Sequence, residues 1–78
     1  MKTRKLIGAN IRAYRKELGI SQETLAFKSK LNEKYVSQVE RGEVNISVDS
    51  LEKIAKTLKV ELYRLFIPNA IDVIITIK

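Results

Sequence analysis

The stretch "LNEKYVSQVERG", residues 31–42, decides how this chain folds. It opens on Asn32, a residue suited to cap a helix, and closes on Gly42, suited to end one. Between them only Val36, Val39 and the edge residue Tyr35 are available for burial. Glu33, Lys34, Ser37, Gln38 and Arg41 fall on the other side. A helix this short is marginal in water, so its neighbours must hold it in place. Its outer face mixes acid, base, hydroxyl and amide, where a merely solubilising face needs only Lys and Glu.

Working outward, Ser21 caps a short helix "QETLAFKS" that offers Leu25 and Ala26 to a core. Before it, Ile7, Ile11, Tyr14 and Leu18 recur on one helical face, and Gly19 is placed to stop that helix. After residue 42, Ser47 caps a fourth helix whose Leu51, Ile54, Ala55 and Leu58 mark its inner face. On its outer side Asp49–Lys53 and Glu52–Lys56 stand at the spacing of helical ion pairs, so Lys53, Lys56 and Lys59 read as a solvated face, with a second binding surface as the alternative. A fifth short helix around residues 61–66 buries Leu62, Leu65 and Phe66, and Pro68 prevents its simple continuation. The final "IDVIITIK" changes character: β-branched residues dominate, and it reads as a strand.

The chain has 78 residues, enough for one domain with one modest core. It contains no cysteine and no histidine, so a Cys/His zinc site or a Ser/His nucleophile pair has no material. The nine carboxylates are scattered, and an enzyme is not expected; neither is a metal or a cofactor. No signal peptide is visible and no apolar run approaches the ~20 residues needed to span a bilayer, so the expected setting is the cytoplasm. The net charge of +6 is unevenly placed: residues 1–41 hold ten Lys/Arg and four Asp/Glu, residues 42–78 five of each. Such asymmetry points to a polyanion, nucleic acid or an anionic membrane, beside the plainer reading of a soluble basic face. Two helices joined by a tight turn, the second exposing varied polar groups, is the arrangement that enters a DNA major groove.

At "SQETLAFKSKLNEKYVSQVERG" the sequence resembles the helix-turn-helix of the phage repressor and Cro family, the XRE-type regulators. The resemblance runs over about residues 7–66, with "IRAYRKELGISQ" before the motif and "NISVDSLEKIAKTL" after it. The "NIS" and "ERG" context is also similar to the controller regulators of restriction–modification systems. The resemblance implies an all-α, five-helix domain whose third helix reads the major groove, acting without a cofactor. Gln22 matches a glutamine that holds phosphate or a neighbouring base contact. Asn32, Glu33, Lys34, Ser37 and Gln38 match positions facing base edges or flanking phosphates, with Tyr35 and Arg41 at the edges of that surface. Arg15 and Glu40 match a salt bridge that joins the first helix to the end of the third.

Two positions depart from the family pattern. Lys30 stands where glycine is usual, in a turn that tends to need positive φ. Glu33 either complements the dipole of the helix it begins or accepts a hydrogen bond from cytosine N4; against phosphates its charge is a penalty. The expected organisation is a DNA-binding domain over residues 1–67 and a dimerisation strand over 68–78, with Ile71, Val73, Ile75 and Ile77 on one face. A lone apolar strand has an antiparallel copy of itself as its simplest partner, giving a homodimer on a roughly palindromic operator; the alternative is a tail that folds back over its own helices. The competing reading is an antitoxin-like interaction module that binds DNA secondarily, which leaves a protein partner, polymerase or toxin, open. A third, peripheral membrane binding, lacks a Trp/Phe/Leu-rich amphipathic helix to insert.

Overall fold

Three side chains set where helices begin. Ser21 Oγ accepts from the Thr24 amide at 3.0 Å, and Ser47 Oγ from the Ser50 amide at 3.1 Å. Asn32 Oδ1 accepts from the Lys34 and Tyr35 amides at 2.7 and 3.4 Å. Each satisfies a backbone donor that the first helical turn leaves without a partner. The computed structural model describes residues 2–68 and contains four α-helices: α1 (Lys2–Glu17), α2 (Gln22–Ser29), α3 (Glu33–Glu40) and α4 (Val48–Leu58). A 3-10 helix follows at Leu62–Phe66. The expected strand and its residues Ile71, Val73, Ile75 and Ile77 lie outside the described residues.

All four α-helices end the same way. A residue at positive φ (Gly19, Lys30, Gly42 or Lys59) turns the chain. Its amide and the next one then return to the last turn of the helix, as in Lys30 to Phe27 and Leu31 to Ala26. Lys30 sits at φ 57° and Lys59 at φ 63°, a conformation that costs an L-residue with a side chain roughly 1–2 kcal/mol. Gly42 has a second constraint: a Cβ there would come within 2.7 Å of Lys5 Cγ.

The core is built from one face of each helix: Ile7, Ile11 and Tyr14; Leu25 and Ala26; Val36 and Val39; Leu51, Ile54, Ala55 and Leu58; then Leu65. Helix α1 packs on α3, on α4 and on the 3-10 helix, while α2 lies between α3 and α4. Gly8 makes the α1–α3 approach possible, since a Cβ there would lie 2.3 Å from the Val39 carbonyl oxygen. Asn10 occupies the buried face of α1 and donates through Nδ2 to the carbonyls of Leu65 (2.9 Å) and Ile67 (3.0 Å). It closes the end of the domain by satisfying acceptors that the short last helix leaves over.

The structure corrects several expectations. The fifth helix is 3-10 rather than α, because only seven residues separate Val60 from Pro68 and a single tight turn fills them. Leu65 is fully buried there, but Phe66 is 43% exposed and turns outward. Leu18 is 44% exposed, because α1 ends at Glu17 and the turn carries the next residue off the buried face. Neither Asp49–Lys53 nor Glu52–Lys56 closes to an ion pair among the described residues. Exposed pairs gain little from closing and lose side-chain entropy when they do.

Candidate nucleic-acid interface

Helix α3 buries Val36, Val39 and Glu40 and turns Glu33 and Lys34 to solvent, with Ser37 and Gln38 half-buried beside them. What fixes this orientation is a polar clamp at its C-terminal end. Arg15 Nε donates to Glu40 Oε2 at 2.7 Å and Nη2 to Oε1 at 3.0 Å, a parallel bidentate pair whose side chains are 10% and 2% exposed. The remaining terminal nitrogen, Nη1, donates to the Ile20 carbonyl at 2.9 Å. Arg15 therefore ties α1, the α1–α2 turn and α3 together.

Gln22, the first residue of α2, joins the same clamp by donating Nε2 to Glu40 Oε1 at 3.0 Å. A carboxamide nitrogen has two hydrogens, so one remains for an acceptor outside the domain. Glu40 thus collects three charge-assisted or polar bonds from two elements, which satisfies its buried charge as burial requires. The start of α2 and the end of α3 are locked into one unit.

At the opposite end of α3, Asn32 spends its carbonyl oxygen on the helix amides. Its Nδ2 group is the part left to face a ligand. Glu33 lies in the first turn, where the helix dipole favours a carboxylate. Tyr35 is half-buried, and its hydroxyl donates to the Asn45 carbonyl in the α3–α4 loop at 3.4 Å.

Arg41 is exposed and already engaged. Its Nε donates to Glu43 Oε2 at 2.9 Å and its Nη2 to Oε1 at 3.1 Å, while Nη1 contacts Ser37 Oγ. The hydrogen bond from Arg41 holds the Glu43 carboxyl below its ordinary range; desolvation opposes the shift and the Arg41 charge adds to it. The guanidinium is raised by the same contact.

The structure brings Asn32, Glu33, Lys34, Ser37 and Gln38 onto one face, with Tyr35 and Arg41 at its borders and Gln22 beside its base. Three participants escaped the sequence reading: Gly8, Asn10 and Glu43. A glycine inside a helix and a polar residue on an apolar stripe were visible signals for the first two. Nothing short of three-dimensional proximity marks Glu43. No helix of the described residues is long and apolar enough to cross a membrane. No group of three or more potential metal ligands comes together among them.

The geometry agrees with comparisons to known proteins. The helix-turn-helix family pattern matches residues 11–65. The control protein C.BamHI of Bacillus amyloliquefaciens is 44% identical over 59 residues, covering 74% of this chain and 73% of that one. The HTH-type transcriptional regulator SlrR of Bacillus subtilis (strain 168) is 47% identical over 62 residues, covering 78% of this chain but only 41% of SlrR. This chain therefore spans about two-fifths of SlrR's length. Among solved structures, the restriction-modification controller protein C.AhdI from Aeromonas hydrophila superposes with a TM-score of 0.82 at 41% identity. That match covers 85% of this chain and 100% of C.AhdI. With more than half its length matched and its buried clamp and two-helix unit described, this chain belongs to the helix-turn-helix family of XRE-type DNA-binding regulators.

Proposed function

We propose that this protein is a transcriptional regulator that recognises a specific double-stranded DNA sequence through α3, as a homodimer on a roughly palindromic operator. One observation carries the reading: α3 is clamped by buried charge at one end and offers mixed donors and acceptors on its free face. A major groove admits one helix, and its base edges are told apart only by such a mixture. The similarity to a control protein, a transcriptional regulator and a restriction-modification controller supports the regulatory reading.

In this account Gln38 and Lys34 reach base edges, Ser37 and Asn32 reach bases or adjoining phosphates, and Tyr35 and Arg41 reach the backbone. Gln22 gives its second amide hydrogen to a phosphate while its first holds Glu40. Glu33 lowers raw affinity and selects a cytosine. No cofactor takes part.

A single α3 reads only a half-site, and two copies set about 34 Å apart along one face of the duplex read a palindrome. Residues 1–67 act as the DNA-binding unit and 68–78 as the dimerising one, through Ile71, Val73, Ile75 and Ile77 paired about a two-fold axis. Selection of bound sequences from a random duplex pool tests both halves of the proposal. Enrichment of an inverted repeat with half-sites one helical turn apart is the expected result; a pool that enriches nothing overturns it. Deleting residues 70–78 should leave a helical monomer, and a truncated protein that still sediments as a dimer refutes the strand pairing alone.

A further inference from the structure

On the side of α2 turned towards α4 lies an open groove of about 430 Å³, walled by Lys28, Ser29, Lys30, Lys53, Lys56 and Thr57. Four of its six lining residues are lysines and none is acidic. Its two hydroxyls are pinned: Ser29 Oγ donates to Thr57 Oγ1 at 2.9 Å, which donates to the Lys53 carbonyl at 3.0 Å. The groove is therefore a fixed junction between α2 and α4, carrying ammonium groups from both. Lys53 and Lys56 are shared with an adjoining groove lined by Asp49, Glu52 and Glu61, but among the described residues they form no ion pair with Asp49 or Glu52, and Lys28 and Lys30 line the lysine groove alone. Lys30 is held at φ 57°, where glycine would sit without strain, so its side chain is kept at a conformational cost.

We propose that this groove is a second DNA contact, holding the phosphate backbone of duplex that runs on beyond the base pairs read by α3. The proposal rests on α3 as the reading helix. The wall contains no aromatic ring or guanidinium to stack a base and no amide or carboxylate to read one. Recognition here is by charge alone, which phosphates satisfy and nucleobases do not. The lysines come from α2, from the turn after it and from α4, a spread suited to successive phosphates rather than to one. Helix α2 packs on α3 on one side and on α4 on the other, so duplex that continues past the site read by α3 and bends towards α4 meets the groove, with Lys30 in the α2–α3 turn reached first. Neutralising the phosphates along one side offsets part of the bending cost.

The test compares two duplexes, one trimmed to the selected site and one with long flanks, across a salt series. The proteins are wild type, the double variant Lys30→Gln/Lys56→Gln, and Lys30→Gly, which relieves the backbone and so separates lost charge from lost fold. Wild type should bind the flanked duplex more tightly and with a steeper salt dependence. On that duplex each lost lysine should lower the slope by about 0.9 and weaken binding about five-fold at about 0.15 M salt. On the trimmed duplex the variants should match wild type. Equal losses on both duplexes, or no loss on the flanked one, overturn the proposal. So does protection of the groove by inorganic tripolyphosphate or polyglutamate with no effect of flanks. Should wild type select no sequence at all, the α3 reading fails, while unselected duplexes of two lengths still score the groove.

Discussion

Glu40 and Arg41 are neighbours in sequence, and each forms one half of a bidentate arginine–carboxylate pair. The bonds are nearly alike: 2.7 and 3.0 Å from Arg15 to Glu40, 2.9 and 3.1 Å from Arg41 to Glu43. Their surroundings are not. The side chains of the first pair are 10% and 2% exposed, those of the second 55% and 52%. Water screens the outer pair and competes for both partners, so its geometry reports little stability. The inner pair sits where an orphaned charge has no solvent to turn to. Burial, rather than bond length, assigns the two their work. The inner pair sets where α3 points, and the outer pair is a local contact that can exchange one anion for another.

The largest expected effect breaks the inner pair. Glu40→Ala leaves the Arg15 guanidinium buried without its carboxylate and strips Gln22 of its acceptor. A cost of about 3–5 kcal/mol is expected, a large share of what so small a domain has. The denaturation midpoint should fall sharply, and a double-mutant cycle with Arg15→Ala should show strong coupling. A midpoint unchanged from wild type would place the inner pair in the same class as the outer one.

Breaking the outer pair should leave stability alone and change binding. Arg41→Ala should weaken all duplexes about equally, since a phosphate contact carries no sequence information. Glu43→Gln frees Arg41 and removes a negative charge near the DNA, so low-salt affinity should rise. If either variant melts well below wild type, the distinction between the two pairs fails.

The smallest effect is a titration. The hydrogen bond from Arg41 holds the folded-state Glu43 carboxyl below its ordinary range, so the pair's contribution is present above that range and disappears as pH falls through the folded value. The Glu43 carboxyl resonance should therefore titrate below the ordinary glutamate range, and Arg41→Ala should return it upward. A midpoint unchanged by the substitution would show that the pair does not persist in solution.

How much of this was legible in the sequence depends on the kind of interaction. Capping is local, so Ser21, Asn32 and Ser47 could be read as helix starts and do accept the expected amides. Turn geometry is local too, and the positive φ expected at Lys30 is present. The apolar faces of α1 and α4 followed from periodicity until the helix ended, which is where Leu18 left the pattern. Contacts between distant elements were less accessible. The reach of Asn10 to Leu65 and Ile67, the approach of α1 to α3 at Gly8, and the Ser29–Thr57 junction depend on packing angles that no window of sequence contains. On α4 the i, i+4 rule overstated the exposed pairs, whose closure is nearly neutral in water.

A rigidly clamped α3 that reads bases makes opposite demands on its outward amide, Gln38, and on Gln22 at the clamp. Gln38→Ala is titrated on the selected operator and on its single-base variants, with Gln22→Ala in parallel. Loss of Gln38 should cost about 1–3 kcal/mol at one base pair and erase the preference there while leaving others intact. Loss of Gln22 should weaken every variant by a similar factor. Uniform losses from both substitutions, with no position relaxed by Gln38→Ala, would contradict the account.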